Sequence, residues 1–327
     1  MTRRGELLAL LADGGLHSGE QLASALGVSR AAVWKQRKSL ADWGIDCTAE
    51  RGRGYRLAAP LDLLNADAIR GALPQFAAGR LRHLDVHEAL ASTSDTLLAV
   101  NELPAGKFDA CLAEFQSAGR GRRGRRWLAP FASGLCLSVN WTFRDAPAAL
   151  GALSLAAGVA VLRALRKFGV ADAKLKWPND ILHEGRKLGG ILIDLRGEAA
   201  GPAYVVVGVG LNLRLPPSAL TALRAAGVEA VDLATLGAAP KRGAVAAALV
   251  AELALALEEF GARGFAAFAA EWREADALAG KAVRVSRGDQ AEEGVARGVD
   301  EDGALLLDAG LGPRRVLSGE VSVRPVG

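Results

Sequence analysis

Residues 119–127 read GRGRRGRRW, a block of three glycines, five arginines and one tryptophan. Glycine at every second or third position disfavours a helix and lets the backbone wrap closely around a partner. Each guanidinium is a planar fork that can hold a phosphate or a carboxylate through paired hydrogen bonds. The block occurs once and lies between two predicted strands, whereas RNA-binding Arg/Gly segments usually lie in disordered tails. A small phosphorylated ligand is therefore favoured over nucleic acid, and a solvated basic loop is the third interpretation.

A second group of candidate catalytic residues lies in the motif KWPND and in KLGGILID, which follows it. The tight turn expected at 183–186 predicts a hairpin in which Asp180 faces Gly189. In that register Lys176, Asp180 and Lys187 share one face, with Asp180 diagonally across from Lys187 at about 7–8 Å between Cα atoms. Two ammonium groups and a carboxylate around a small residue suit phosphoryl chemistry. The alternative is a surface cluster of salt bridges, and a one-residue slip would scatter the three side chains.

Two more stretches offer groups to a ligand. The run VVVGVGLNL ends a buried strand with Gly208, Gly210 and Asn212. Glycine lets a planar ligand approach the backbone, and an Asn amide can pair with the edge of a base. Glycines in a packed strand are the alternative. Residues 92–94, Ser-Thr-Ser, precede a predicted helix, and without further context helix capping is the favoured role of their hydroxyl groups.

From about 80 to 270, predicted strands outnumber predicted helices, and several strands adjoin through short turns. This pattern is typical of a mixed α+β sheet rather than a regular doubly wound unit. The predicted strands are 110–115, 135–141, 173–182, 187–195 and 204–213, and the predicted helices are 94–101, 148–168 and 243–260. Beyond 280, short strands alternate with glycine-containing turns, which predicts a small β-barrel. Those strands are 282–286, 292–300, 304–308 and 315–317.

Residues 1–60 carry a separate pattern of three helices followed by two short extended segments. Ser18 and Ser29 are predicted N-caps of the second and third helices, and Gln21 completes a capping box with Ser18. The sequence RGRG joins the extended segments into a hairpin with a basic tip. This order of elements is that of a winged helix-turn-helix. The predicted elements are helices 18–26 and 29–43 and the extended segments 45–50 and 55–57.

Positive charge concentrates on the third of these helices and on the hairpin tip, where residues 29–56 hold seven basic and three acidic side chains. A recognition helix and a wing contact DNA phosphates with those two elements. A winged helix that binds another protein is the alternative, but basic residues on both elements favour DNA. The predicted DNA-binding residues are Ser29, Arg30, Trp34, Lys35, Arg37, Lys38, Arg51 and Arg53.

Composition argues against several classes of protein. A formal net charge of +4 over 327 residues is too small to mark the whole chain as a nucleic-acid binder. The three cysteines have neither the number nor the spacing of a disulfide framework or a zinc site, which favours a reducing compartment. The longest apolar run, 147–162, is shorter than the roughly 20 residues of a membrane span, and the N-terminus lacks the features of a signal peptide. We therefore expect a cytoplasmic protein without a membrane partner.

Taken in chain order, ASTSDT, EFQSAGRGRRGRRW, KWPNDI, KLGGIL and GVGLNL resemble the motifs of biotin protein ligases. Together with the N-terminal pattern, they resemble the bifunctional bacterial type, which is both a biotin ligase and the repressor of the biotin operon. The resemblance implies an α+β chain with a winged helix-turn-helix at 1–60, a catalytic domain of the biotin/lipoate ligase type at 61–279 and an SH3-like β-barrel at 280–327. Lipoate ligases share the catalytic fold but not the Gly/Arg block, and are a remote alternative.

The resemblance also implies roles for individual residues. Asp180 would be the general base for the acceptor lysine, Lys187 and Arg122 would be the other catalytic residues, and no metal-binding side chains are predicted. Ser94 departs from the family, which more often has Asn there. The predicted biotin-binding residues are Ser92, Thr93, Ser94, Gln116, Arg120, Gly121, Arg122 and Lys187. The predicted ATP-binding residues are Arg122, Lys176, Asn179, Lys187 and Asn212.

The implied reaction uses biotin, ATP and Mg²⁺ to form biotinyl-5′-AMP, and then transfers biotin to a lysine of the biotin carboxyl carrier protein of acetyl-CoA carboxylase. The adenylate-bound protein is expected to form a homodimer that binds an inverted-repeat operator and represses biotin-synthesis genes. A biotin-sensing repressor without catalytic activity is the alternative. The intact Gly/Arg block, Lys187 and Asp180 argue against it.

Overall fold

The computed structural model describes residues 2–145, 150–196, 202–238, 240–287, 289–310, 312–318 and 321–325. Three helices and a hairpin come first, a seven-stranded sheet with helices follows, and a five-stranded sheet comes last. This is the α+β arrangement that the sequence predicts. The first two residues of the predicted helix 148–168 lie outside the described ranges.

The N-terminal unit has the predicted winged helix-turn-helix pattern. Its second helix begins at the expected capping box, in which Ser18 Oγ accepts from Gln21 N at 3.1 Å and Ser18 N donates to Gln21 Oε1 at 2.9 Å. Gly27, with φ 62°, ends that helix in the left-handed conformation that glycine adopts without strain. The elements are α1 Arg3–Leu11, α2 Gly19–Leu26, α3 Arg30–Ser39, β1 Cys47–Glu50 and β2 Gly54–Leu57.

The central sheet has the strand order β3-β4-β5-β9-β8-β7-β6, with β3 and β4 parallel and the other neighbours antiparallel. The prediction of one strand at 173–182 is wrong, because a turn at 177–179 divides it into β6 and β7. Strand β3, on the sheet edge, was not predicted. The strands are β3 Leu81–Leu90, β4 Phe108–Gln116, β5 Gly134–Phe143, β6 Lys174–Lys176, β7 Asp180–His183, β8 Arg186–Arg196 and β9 Ala203–Asn212.

Helices cover the two faces of this sheet unequally. The long helices α7 and α9 pack on one face and form the main core with the inward residues of the strands. The short helix α6 packs on the other face, against β4, β5 and β9, and leaves part of that face open. The helices are α4 Ala66–Gly71, α5 Gln75–Arg80, α6 Thr93–Leu98, α7 Leu153–Arg166, α8 Pro217–Ala225, α9 Arg242–Arg263 and α10 Ala269–Ala275. In the parts of the chain described, none of the helices combines the length and apolar character needed to cross a bilayer.

Side chains of β9 alternate between the two faces, as the pleat of a strand requires. Val205, Val207 and Val209 belong to the main core beneath α7 and α9. Gly208 and Gly210, at the alternate positions, face the open side instead. The predicted glycine motif therefore lies on the exposed floor of a cavity rather than inside the packed core.

The C-terminal unit is an antiparallel sheet of order β13-β12-β11-β10-β14 and packs back on the central unit. Trp177 Nε1 donates to Gly303 O at 3.0 Å, and the Arg122 guanidinium donates to Ser318 O. The C-terminal unit thus contacts both the KWPND turn and the Gly/Arg block. Its strands are β10 Ala282–Arg287, β11 Gln290–Val299, β12 Leu305–Asp308, β13 Pro313–Val316 and β14 Val321–Pro325.

The winged helix also contacts the central unit, close to both ends of the Gly/Arg block. Trp43 stacks on Phe131 with 5.0 Å between ring centroids and lies 6.3 Å from Phe115. Thr2, the N-cap of α1, donates from its amide to a carboxylate oxygen of Glu88 at 2.9 Å. Aromatic packing of this kind restrains how the first unit sits on the second.

Candidate functional site

A row of paired residues crosses the open face of the central sheet and forms the floor of a cavity. Asp180 pairs with Gly190, Gly190 with Gly210, and Gly210 with Cys136, on strands β7, β8, β9 and β5. The two glycines in the middle keep the floor low. Burial raises the pKa of the Cys136 thiol to about 12, so this end of the floor is uncharged. The floor therefore suits a flat, largely apolar group that has a charged end near Asp180.

Polar side chains close one end of the cavity. Thr93 Oγ1 lies 2.7 Å from Ser138 Oγ, and Ser94 Oγ lies 3.1 Å from the same hydroxyl. Gln116 Oε1 accepts from Thr93 N at 2.7 Å. Ser92 caps α6 through a bond from Asp95 N at 3.4 Å, so the predicted capping role coexists with a place in the cavity wall. These hydroxyl and amide groups can donate to and accept from a ligand that has both kinds of polar atom.

At the other end of the floor, Lys187 Nζ lies 2.5 Å from Asp180 Oδ1 and Lys176 Nζ lies 3.4 Å from Asp180 Oδ2. The predicted cluster forms, but the predicted register is wrong. A bulge between Ile181 and Leu182 moves Asp180 opposite Gly190, while Leu182 faces Lys187 as expected.

The strand pairing that brings Lys176 beside Asp180 differs from the predicted one. The β6–β7 hairpin pairs Lys176 directly with Asp180, not with a residue of β8. Burial raises the pKa of Asp180, but the ammonium groups of Lys187 and Lys176 more than offset that effect and hold the pKa below its ordinary value. Asp180 is therefore an ionised carboxylate, and the cluster carries one net positive charge.

The Gly/Arg block forms a small hairpin over the cavity, which we call the lid (residues 119–127). Gly121 N donates to Arg125 O at 2.6 Å and Trp127 N donates to Gly119 O at 2.9 Å, while Arg120 and Arg126 face each other as a β-bridge. The lid is therefore an ordered hairpin, as a close-fitting cover requires.

Two arginines of the lid have different surroundings. Arg122 lines the cavity beside Asp180 and Lys187. Burial lowers the pKa of Arg122, and Asp180 opposes that effect. A guanidinium keeps its charge in proteins nonetheless. Arg120, predicted to bind biotin, also lines the cavity, and its guanidinium is bonded to Asp95 at 2.7 Å and Asp194 at 3.1 Å.

Two predicted ATP-binding residues have their amide groups occupied by backbone. Asn212 Nδ2 donates to Lys187 O at 3.2 Å and to Val231 O at 3.1 Å, so its carbonyl Oδ1 is the atom left for a ligand. Asn179 Nδ2 donates to Ile191 O at 2.6 Å, which fixes the turn before Asp180. Both side chains line the cavity, whereas Lys176 lies behind Asp180.

Trp127 was not predicted to be a site residue, although it ends the Gly/Arg block. Its indole lies flat on the glycine floor: a Cβ on Gly210 would come within 2.3 Å of Trp127 Cε2, and one on Gly190 within 3.5 Å of Cζ3. The centroid of the ring lies 5.8 Å from Lys187 Nζ. Trp127 Nε1 is buried and has no hydrogen-bond partner among the described residues. An aromatic ring after a flexible basic loop was the signal that could have identified it.

Most of the predicted DNA-binding residues are exposed, and Arg37 is partly buried. Trp34 is 48% exposed on α3, with Lys38 Nζ 4.0 Å from its ring centroid, and Arg53 in the wing turn is exposed beside Glu50. Arg37 is directed elsewhere: Nη1 donates to Cys47 O at 2.9 Å and the guanidinium lies over the ring of Tyr55.

The remaining predicted DNA contacts keep their positions on the recognition helix and the wing. Arg30, Lys35 and Arg51 are exposed, and Ser29 is the N-cap of α3. Arg37 thus links α3 to the wing, and the other seven residues lie on or beside an accessible basic surface.

Three family models match this chain. Residues 86–212 match the biotin/lipoate A/B protein ligase family, residues 3–56 match an HTH domain, and residues 279–324 match the biotin protein ligase C-terminal domain. The first match contains the floor, the polar end and the lid.

Curated relatives match the chain nearly end to end. The bifunctional ligase/repressor BirA of Escherichia coli (strain K12) is 40% identical over 98% of this chain and 96% of its own length. That of Bacillus subtilis (strain 168) is 30% identical over 98% of this chain and 99% of its own. Among solved structures, the biotin protein ligase from Aquifex aeolicus in complex with biotin and ATP is similar, with a TM-score of 0.61 and 26% identity over 75% of this chain and 100% of that chain.

Proposed function

The chain belongs to the bifunctional ligase/repressor family of biotin protein ligases, and from this premise we propose that the cavity over the central sheet carries out both steps of biotin ligation. Biotin and ATP would first give biotinyl-5′-AMP and pyrophosphate. A lysine of the biotin carboxyl carrier protein of acetyl-CoA carboxylase would then take the biotin. The observation that carries this proposal is the continuity of the cavity, since one glycine floor joins the polar end around Thr93 to the cationic end at Lys187 and Arg122.

Biotin fits the cavity by its chemistry. The polar end, formed by Thr93, Ser138 and Gln116, offers donors and acceptors to the ureido group, and the glycine floor accepts the apolar ring and chain. The carboxylate at the end of that chain would then lie beside Lys187. The indole of Trp127 lies on this part of the floor, so it would have to shift to admit the chain and would then cover it.

In the first step an oxygen of the biotin carboxylate attacks the α-phosphorus of ATP, and the bond to the pyrophosphate oxygen breaks. Negative charge accumulates on the α-phosphate oxygens. Lys187 and Arg122, both in the cavity wall, are placed to stabilise that charge. Asn212 Oδ1 can accept a hydrogen bond from the amino group of adenine, since its own amide hydrogens are already bonded to backbone.

Mg²⁺ would act as a counter-ion of the ATP phosphates. Among the described residues there is no group of three or more His, Cys, Asp or Glu side chains arranged to hold a metal ion. Mg²⁺ is commonly held by substrate phosphates, waters and one or two carboxylates, and Asp180 is an ionised carboxylate in the cavity wall, so this donor set fits. When bound, the ion would neutralise the leaving pyrophosphate.

In the second step the acceptor lysine attacks the carbonyl carbon of biotinyl-5′-AMP, and AMP leaves. The attacking amine must be neutral. We assign the removal of its proton to Asp180, which would be freed for that work when Lys187 moves from Asp180 to the phosphate. A low pKa makes Asp180 a weak base, so its main contribution is to orient the amine and stabilise the positive charge that develops on it.

Both steps can be measured separately. Exchange of labelled pyrophosphate into ATP should require biotin, and biotin should pass to carrier protein from the isolated adenylate complex without further ATP. A repressor that only senses biotin would show neither reaction.

We also propose that the adenylate-bound protein forms a homodimer and binds an inverted-repeat operator through its winged helices. A two-fold dimer presents two recognition helices to two half-sites of opposite orientation. The exposed surface around Trp34, Lys35 and Arg53 supplies the cationic contacts to phosphate. The excess of basic over acidic side chains in residues 29–56 favours DNA over a protein partner.

Removing positive charge from the wing should weaken operator binding in a salt-dependent manner. For Arg51→Ala combined with Arg53→Ala, the slope of log affinity against log salt should become shallower by about 2, since each lost phosphate contact releases about one counter-ion fewer. Fluorescence anisotropy across a salt series measures the slope. Arg224→Ala, which removes an exposed charge from α8, should leave it unchanged. An unaltered slope in the wing variant would remove Arg51 and Arg53 from the DNA contact.

A further inference from the structure

Arg120 lines the cavity at its edge, and its guanidinium is bonded to two carboxylates that lie outside the lid. Nη1 and Nη2 donate to Asp194 Oδ1 and Oδ2 at 3.2 and 3.1 Å, and Nη2 also donates to Asp95 Oδ1 at 2.7 Å. Paired parallel bonds between a guanidinium and a carboxylate fix direction as well as distance. The lid is thus attached to two separate elements, β8 through Asp194 and α6 through Asp95.

The ion pair between Arg120 and Asp194 is better shielded from solvent than an ordinary surface ion pair. The Asp194 side chain is only 18% exposed, whereas Asp95 is 52% exposed. Exposed ion pairs contribute little to stability. In a bidentate pair with one partly buried partner, solvent and salt screen the attraction less. Asp194 is therefore the stronger partner and Asp95 the auxiliary one.

Backbone pairing within the lid couples the position of Arg120 to the residues that cover the cavity. Arg120 and Arg126 face each other as a bridge, and Gly119 O accepts from Trp127 N at 2.9 Å. A displacement of Arg120 must therefore carry Trp127 with it, and Trp127 covers the glycine floor. The same backbone pairing holds Gly121 against Arg125, next to Arg122.

We propose that Arg120, Asp194 and Asp95 form a latch that keeps the lid closed and so sets how long biotinyl-5′-AMP stays bound. This inference rests on the proposed adenylate-forming function. The three side chains are positioning residues: they hold Trp127 and Arg122 over the ligand and take no part in bond making. Opening the latch lets the adenylate leave before an acceptor lysine arrives, while the chemistry of its formation is unchanged.

The Asp95→Asn/Asp194→Asn variant tests the latch, because it removes both charges and keeps the side-chain shapes. Dissociation of biotinyl-5′-AMP from the isolated complex is measured with a chase of excess unlabelled biotin and ATP. The dissociation rate should rise roughly tenfold, the scale expected when a partly buried bidentate ion pair and a second, exposed ion pair are both lost. The maximal rate of biotin-dependent pyrophosphate exchange should stay within about twofold of the unmodified protein. Asp194→Glu in the otherwise unmodified protein keeps the charge, so dissociation from it should stay slow.

A salt series separates the latch from a general loosening of the fold. Dissociation from the unmodified protein should quicken as ionic strength rises, while dissociation from the double variant should respond much less, since the screened pair is already gone. Glu258→Gln breaks a distant ion pair with Arg80 and should change neither rate.

Three results would overturn the latch. The first is slow dissociation from the double variant, and the second is loss of exchange in that variant, which would place the carboxylates in the chemistry itself. The third is the absence of adenylate formation by the unmodified protein, which would refute the proposed function and the latch with it. Because that third result is measured before any substitution is made, the two failures are distinguishable.

Discussion

Replacement of Lys187 by alanine should lower biotin-dependent exchange of pyrophosphate into ATP by about 10²–10³-fold, the usual loss when one group that stabilises transition-state charge is removed. Lys187 Nζ is 2.5 Å from Asp180 and lines the cavity where the carboxylate and the α-phosphate would meet. Without it, Asp180 keeps the more distant ammonium of Lys176, at 3.4 Å. The cationic end of the cavity would then be electrically neutral apart from Arg122.

The matched control is Lys174→Ala, which removes a lysine whose Nζ donates to Glu274 O outside the cavity. Exchange by this variant should equal that of the unmodified protein. Lys187→Arg keeps the charge but changes the geometry, so it should recover part of the activity. Near-normal exchange by a folded Lys187→Ala protein, judged by its thermal midpoint, would remove Lys187 from the site.

Replacement of Gly210 by alanine should weaken biotin binding by roughly 10–100-fold, the range expected when a methyl group is forced into a packed position. The new Cβ would lie 2.3 Å from Trp127 Cε2 and 2.6 Å from Cζ2, so the indole must move. A raised floor and a displaced Trp127 both reduce the space for the biotin chain. Titration calorimetry with biotin measures the change directly.

Gly71→Ala is the control for this substitution. It places a Cβ at the end of α4 with nothing within 4 Å, and should leave biotin affinity unchanged. At saturating biotin, Gly210→Ala should recover more exchange activity than Lys187→Ala, because the glycine shapes the floor and carries no charge. An unchanged dissociation constant for Gly210→Ala would mean that biotin does not lie on this floor.

Local patterns predicted the elements of the winged helix well. The capping box of Ser18 and Gln21 and the positive φ of Gly27 are decided by residues within one turn of each other, so the sequence contains the needed information. Exposure of a side chain depends on more distant partners. Arg37 was expected on the DNA face, and its actual partners, Cys47 and Tyr55, lie on the two strands of the wing.

The Lys–Asp–Lys cluster shows that residues can come together as predicted although the predicted strand register is wrong. Lys176, Asp180 and Lys187 meet as expected, but a bulge after Ile181 and a turn at 177–179 bring them together. Bulges and turns of this kind leave no periodic signal in the hydrophobic pattern. Strand β3 was missed for a related reason, since an edge strand with many charged residues does not alternate clearly.

Contacts between the structural units could not be predicted from the sequence, because they join residues that are far apart in the chain. The stacking of Trp43 on Phe131 joins residues 88 positions apart and places the winged helix against the segment that follows the lid. The ion pairs of Arg120 with Asp95 and Asp194 likewise depend on where α6 and β8 lie relative to the lid. A family resemblance predicts that Arg120 binds biotin; in this structure the residue lines the cavity, and its guanidinium is bonded to Asp95 and Asp194.

Transfer of biotin from the isolated complex tests the central claim most directly. The protein is incubated with labelled biotin and ATP, separated from free nucleotide, and mixed with biotin carboxyl carrier protein. We predict that one lysine of the carrier becomes labelled, that AMP appears in equal amount, and that no further ATP is needed. If the isolated protein holds no adenylate, or holds it and labels no lysine, the cavity is not a two-step ligase site.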